Sequence, residues 1–142
     1  MRCTARCSKR STPISSREHS FDFTVEGPLL TDVGGTLPNA VLSTPGMVAM
    51  MERAAAICAA EELNGQGFTV GFEVCIRHFG AAGEGATCTA RAVLREVVDR
   101  RKFKFDVSVA EGDREIGAGT HERRMPRAAG GEHGGGIPAQ PA

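Results

Sequence analysis

The segment STPGMVAMMERAAAICAAEEL, Ser43 to Leu63, is apolar around nearly its whole circumference, and after it the chain offers only strand-like runs. That order constrains the fold more than any composition figure. A hydroxyl residue at the N-cap, read here as Thr44, and proline at the first helical position open a helix. NGQG closes it after about Leu63. GFTVGFEVCIRH then alternates, which places Phe68, Val70, Phe72, Val74 and Ile76 on a core face and Thr69, Gly71, Glu73, Cys75 and Arg77 on the other. Three more runs, ATCTARAVLREVV, KFKFDVSVA and REIGAGTHERRM, are split by DRR and EGD, which suit hairpins. Ahead of the helix, HSFDFTVE alternates Phe21, Phe23 and Val25 and runs into the loop GPLLTDVGGTLPNAV.

One helix cannot cover both faces of a parallel sheet, and four strands with no helix between them must pair antiparallel. The expected class is therefore α+β, a curved antiparallel sheet around one long helix. A helix apolar on all sides in so small a domain also needs a second cover. The simplest is another copy of the chain, so a homodimer is expected.

At 142 residues, 41 % hydrophobic and 24 % charged, the chain has material for one globular core. Its 17 basic and 17 acidic residues cancel, and Trp and Tyr are absent, which argues against a nucleic-acid partner. Residues 1–17, MRCTARCSKRSTPISSR, are basic and acid-free and read as a disordered leader; a transit peptide shares that composition. Residues 18–126 form the expected domain, and 127–142, rich in Gly and Pro, a disordered tail in which His133 is incidental. The leader lacks the apolar core of a secretory signal, and no run approaches the ~20 apolar residues of a membrane span. A soluble cytoplasmic protein with no membrane partner is expected. Cys58, Cys75 and Cys88 lie in apolar runs as small hydrophobes, Cys3 and Cys7 have no completing ligands, and an odd cysteine count fits a reducing compartment. No metal-spaced set is present, so no metal is expected.

Three residues in the domain could carry chemistry. Glu52 has Val48, Ala49, Ala55 and Ala56 as helical neighbours, so its carboxylate is expected to be partly desolvated. It is then either a tuned acid, base or nucleophile or, with Arg53, the helix's solvent edge. His78 shares the parity of Ile76 and Val74, which turns it toward the helix as a structural or a catalytic imidazole. Thr44 reads as a helix cap or as a hydroxyl placed where the helix dipole stabilises negative charge. The glycines of EIGAGTHER sit in a strand pattern, where they mark a bend or a close backbone approach.

Taken together, Thr44, Glu52 in GMVAMMERA, His78 in GFEVCIRH and the strand EIGAGTHER resemble the fluoroacetyl-CoA thioesterase-like family of hotdog-fold proteins from Ser43 to about Met125. The resemblance implies a hotdog fold, homodimeric, with active sites at the dimer interface. It implies hydrolysis of a small acyl-CoA thioester with Thr44, Glu52 and His78 as the catalytic set. Gly71, whose family counterpart lies with its backbone by the thioester, and Pro45 and Gly46 at the helix start are the expected substrate-binding positions. No cofactor is implied beyond the coenzyme A carried by the substrate. The fluoroacetyl-selective form of the family has aromatic residues before the helix, whereas TDVGGTLPNAVLS has none and offers Gly35 and Pro38. A short-chain acyl-CoA or acyl-carrier thioester is the implied substrate class. The alternatives are an acyl-CoA-binding sensor or carrier without turnover, and a hotdog enoyl-CoA hydratase, which usually pairs Asp and His in one short segment.

Overall fold

The structure, a computed structural model, describes residues 17–127. The expected leader, apart from Arg17, and the tail beyond Arg127 lie outside the described residues, as do Cys3, Cys7 and His133. The elements follow the expected order. Strand β1 (Glu18–Thr24) is followed by a single 3-10 turn at Gly27–Leu29 and two short strands, β2 (Leu30–Thr31) and β3 (Val41–Leu42), that pair within the loop. Helix α1 (Thr44–Leu63) precedes β4 (Val70–His78), β5 (Thr87–Val98), β6 (Lys102–Glu111) and β7 (Arg114–Arg124). The five long strands form one antiparallel sheet in the order β1-β5-β6-β7-β4.

The hairpins follow from local chemistry. Asp99 and Arg100 both take positive φ, and the Arg101 amide bonds the Val98 carbonyl, which makes the tight turn whose twist suits β5 and β6. At the far end of α1, Asn64 adopts the left-handed conformation and its amide bonds the Ala60 carbonyl, so the helix stops where NGQG begins.

The core lies between α1 and the concave face of the sheet. Phe103, Phe105, Val107 and Val109 alternate inward from β6, and Cys88, Ala90 and Ala92 from β5. They meet Met47, Met51, Ala54, Ala55, Cys58 and Ala59 of the helix. Small side chains on both α1 and β5 let the helix lie close to the sheet. Burial pushes the Cys58 thiol up to about 11, as befits a cysteine used as a hydrophobe. The opposite side of α1 is apolar too, with Val48 and Ala56 half-buried and Ala49 and Ala60 exposed.

Strand β4 departs from the expected alternation. Its register against β7 shifts between Gly71 and Glu73, so Phe72 is an extra residue in the strand. Val70 pairs with Arg124 on the outer face, and the Arg124 guanidinium lies 3.4 Å from the centroid of the Phe72 ring. The bulge reverses the parity: Gly71 shares the helix-facing side with Val74, Ile76 and His78, while Val70 and Phe72 do not. Val70 and Phe72 are therefore exposed rather than core residues; Phe68, ahead of the strand, and Val74, on the helix-facing side of an edge strand, are exposed in the single chain as well. Cys75 is half-buried, opposite Thr120.

Candidate active site

The start of α1 is fixed by Ser43. Its side-chain oxygen accepts the Gly46 amide at 2.9 Å, and its own amide bonds the Leu29 carbonyl at 2.8 Å. Ser43 is thus the N-cap, with extended φ and ψ, and Thr44 is the first helical residue with Pro45 second. The expectation that Thr44 caps the helix is corrected: two adjacent hydroxyl residues compete for that position, and the one with extended geometry holds it. The Thr44 hydroxyl is left for another partner. It lies 2.8 Å from Nδ1 of His78, thirty-four residues away in sequence.

His78 reaches Thr44 because of what faces it on β7. It pairs with Gly117, where an added Cβ would run into Met47 and the Arg77 carbonyl. The next glycine, Gly119, lies against the backbone of Cys75 and Ile76, too close for any side chain. The two glycines let β4 and the helix start approach each other, as the close-approach reading of EIGAGTHER anticipates.

Beside the Thr44–His78 pair opens a cleft of about 490 Å³ lined by Leu30, Val33, Val41, Leu42 and Pro45 together with the hydroxyl residues Thr31 and Ser43. Its wall is the loop between β1 and α1, held by the Leu42 amide on the Ala82 carbonyl and by the Ser43 anchor. Pro45 is exposed at the cleft, whereas Gly46 is buried beneath it, where an added Cβ would press on the Leu29 backbone. Since Pro45 has no N–H and that of Gly46 is taken by Ser43, Thr44 supplies the remaining amide of the first three helical residues.

Glu52 stands two turns further along α1, roughly 12 Å from Thr44 along the axis. Its side chain is 41 % exposed in the single chain, so the desolvation expected from its apolar helical neighbours is not realised there. It is held instead by Arg123, whose Nη1 is 3.4 Å from Oε2, while His121 Nε2 lies 3.9 Å from the same oxygen. The same oxygen sits above Gly71, where a Cβ would overlap it. Arg123 is anchored in turn on Thr69, by Nε to the hydroxyl at 2.8 Å and by Nη2 to the carbonyl at 3.0 Å.

His121 and Arg123 are buried polar residues absent from the sequence-based site. The signal that could have found them is parity, since they continue the alternation of Gly117 and Gly119 onto the helix-facing side. Burial lowers the pKa of His121, with the Arg123 charge acting in the same direction against the Glu73 carbonyl and two glutamates. Burial likewise lowers that of Arg123, against the pull of Glu52. The described residues contain no cluster of three or more metal-ligating side chains, and none of their helices is long and apolar enough to cross a membrane.

A long helix wrapped by an antiparallel sheet, with a carboxylate on its exposed flank and a hydroxyl–imidazole pair at its start, defines a hotdog-fold protein of the thioesterase kind. The chain belongs to the fluoroacetyl-CoA-specific thioesterase family, whose model matches residues 28–127. The fluoroacetyl-CoA thioesterase of Streptantibioticus cattleyicolor is 40 % identical over 85 residues, 60 % of each chain. The present chain thus matches 60 % of the length of that curated relative. A mutant of the fluoroacetyl-CoA-specific thioesterase solved with fluoroacetate and CoA superimposes with a TM-score of 0.69 at 30 % identity, covering 78 % of this chain and 93 % of that one. A thioesterase superfamily member from Thermus thermophilus shares the fold at a TM-score of 0.70 and 21 % identity, covering 80 % of this chain and 83 % of its own.

Proposed function

We propose that the protein hydrolyses the thioester of a short aliphatic acyl group carried on coenzyme A or an acyl carrier, as a homodimer whose active sites each draw on both chains. The observation that carries this reading is the Thr44–His78 pair at the mouth of a mainly aliphatic cleft. The family, and a relative that binds fluoroacetate and CoA, support an acyl-CoA as the substrate.

Each chain holds two half-sites at opposite ends of β4. Thr44 and His78 mark one end, and Gly71 with Glu52 the other, seven residues or roughly 20 Å away along a strand. One chain cannot bring them together. An edge strand with Val70, Phe72 and Val74 exposed, and Phe68 exposed just ahead of it, invites pairing with its own copy, and two-fold antiparallel pairing reverses the strand's direction. With the axis near the middle of β4, between Val74 and Cys75, the Gly71–Glu52 end of one chain meets the Thr44–His78 end of the other. The apolar outer flank of α1 is covered in the same assembly.

In that arrangement the acyl group enters the cleft and its carbonyl oxygen faces the amide and hydroxyl of Thr44 at the positive end of the helix dipole. Glu52 of the second chain drives attack on the carbonyl carbon, directly or through a water that it deprotonates. The carbon–sulfur bond breaks, His78 delivers a proton to the departing thiolate, and water supplies the hydroxyl of the free acid. The mainly aliphatic lining, with Thr31 and Ser43 as its hydroxyl members beside Thr44, and the absence of an aromatic residue between Thr31 and Ser43 suit a short alkyl chain better than a selectively recognised fluoromethyl group.

Thiol release from a panel of short acyl-CoAs tests the reading. Turnover that is lost in a folded Glu52→Ala variant supports it. Saturable acyl-CoA binding with no turnover on any member would replace it with a carrier or sensor role.

A further inference from the structure

The buried pair His121 and Arg123 is not used by the mechanism above, and its hydrogen bonding has one consistent solution. Nδ1 of His121 lies 2.9 Å from the backbone carbonyl of Glu73, at the turn of β4 just past the bulge. A carbonyl only accepts, so Nδ1 carries the hydrogen. In the neutral ring Nε2 is then a bare acceptor. It faces Nη1 of Arg123 at 3.4 Å, and that same Nη1 reaches Oε2 of Glu52 at 3.4 Å. One guanidinium nitrogen therefore joins the imidazole to the carboxylate.

We propose that His121 is a positioning residue for Glu52: locked as the Nδ1–H tautomer by the Glu73 carbonyl, it offers Nε2 as the acceptor that fixes Arg123, and through Arg123 the carboxylate. The inference rests on the thioesterase reading for its kinetic consequence, but the tautomer can be tested without it.

The surroundings support a ring whose job is orientation. The His121 side chain is 1 % exposed and stacks on Phe105 of β6, ring centroids 6.3 Å apart and planes 27° apart. The charged groups around it are Arg123 and Glu122 on its own strand and Glu52 on α1, with the Glu73 carbonyl from β4. Burial and Arg123 oppose a charged ring, which keeps the acceptor available. A protonated ring would point a second N–H at Arg123 and remove the acceptor. Because the Arg123 bond to the carboxylate runs through Oε2, the clamp leaves Oε1 to act on substrate. The arrangement also assigns a purpose to the bulge: by adding Phe72 it brings Gly71 under Oε2 while aiming the Glu73 carbonyl at Nδ1.

Two substitutions separate orientation from bulk. His121→Asn keeps an amide near Nδ1 and removes the acceptor at Nε2; His121→Gln places an amide oxygen near the Nε2 position. With wild-type turnover and its loss in Glu52→Gln as reference, His121→Asn is expected to lower kcat roughly 10- to 100-fold with KM changed less than about threefold, and His121→Gln to recover most of the loss. Equal activity in both variants, whether retained or lost in a folded protein, overturns the acceptor role. Nitrogen-15 shifts of His121 in the unaltered protein decide the matter where a variant fails to fold. Protonated Nδ1 with bare Nε2 at neutral pH is the expected result, and the opposite tautomer or a charged ring overturns the proposal. An absence of wild-type turnover would refute the thioesterase reading and leave the tautomer result standing.

Discussion

The hydroxyl of Thr44 reaches Nδ1 of His78 at 2.8 Å because its neighbour Ser43 has taken over the capping of α1. Adjacent residues of similar chemistry thus have separable roles. Ser43→Ala should cost about 1 kcal/mol of stability through the lost cap. Thr44→Ala should leave stability within about 0.5 kcal/mol and reduce thioester turnover roughly 100-fold or more. Urea unfolding and thiol release on the two variants check this, and a stability loss confined to Thr44→Ala would contradict the assignment of the cap.

Gly71 is required by space. A methyl group there would overlap Oε2 of Glu52, and the carboxylate, as the mobile partner, would be displaced from its Arg123 contact. Gly71→Ala should therefore fold normally and lose roughly 10- to 100-fold in kcat. A calorimetric midpoint within a few degrees of wild type, measured beside the kinetics, separates displacement from unfolding.

Acid should destabilise the fold through His121. The folded state holds this histidine below its usual value of 6.5, so between pH 6.5 and the lower folded value the unfolded chain binds the proton first. Stability is then fully present above about pH 6.5 and declines as pH falls. Denaturant midpoints at pH 7 and pH 5.5 should show the decline in wild type, with a shallower slope in His121→Gln. Parallel slopes would show that other groups dominate.

A second glycine effect is purely structural. At Gly119 an added Cβ would meet the backbone of Cys75 and Ile76, which cannot move aside without opening the pairing of β7 and β4. Gly119→Ala should cost about 1–3 kcal/mol and loosen β4 before the rest of the sheet. Hydrogen exchange of the β4 amides would reveal that order.

Much of this fold was legible because its signals are local. The Pro45 and NGQG punctuation bounded the helix, and period-2 runs separated by DRR and EGD gave the hairpins. What failed was alternation across Phe72, since the extra residue is itself apolar and keeps the period of Val70 and Val74 in the sequence, so the bulge leaves no mark in the pattern. The cap failed at Ser43–Thr44 for a related reason: φ and ψ decide between neighbouring hydroxyls, and composition does not. Within the candidate site, position and resemblance nominate Thr44, Glu52 and His78, and the structure brings the first and last of these together. His121 and Arg123 share the parity of Gly117 and Gly119, but polar residues on a core face look like an outward strand face until the register is known.

The central claim is that Glu52 of one chain works with Thr44 and His78 of the other, and subunit mixing tests it most directly. Glu52→Ala and His78→Ala, each inactive alone, are unfolded together in equal amounts, refolded, and assayed for thiol release, with mixed dimers verified by native mass spectrometry. Random pairing makes half of the dimers mixed, each with one intact site of two, so activity should return to about a quarter of the wild-type value. Mixed dimers without any recovered activity would show that each site is built within a single chain.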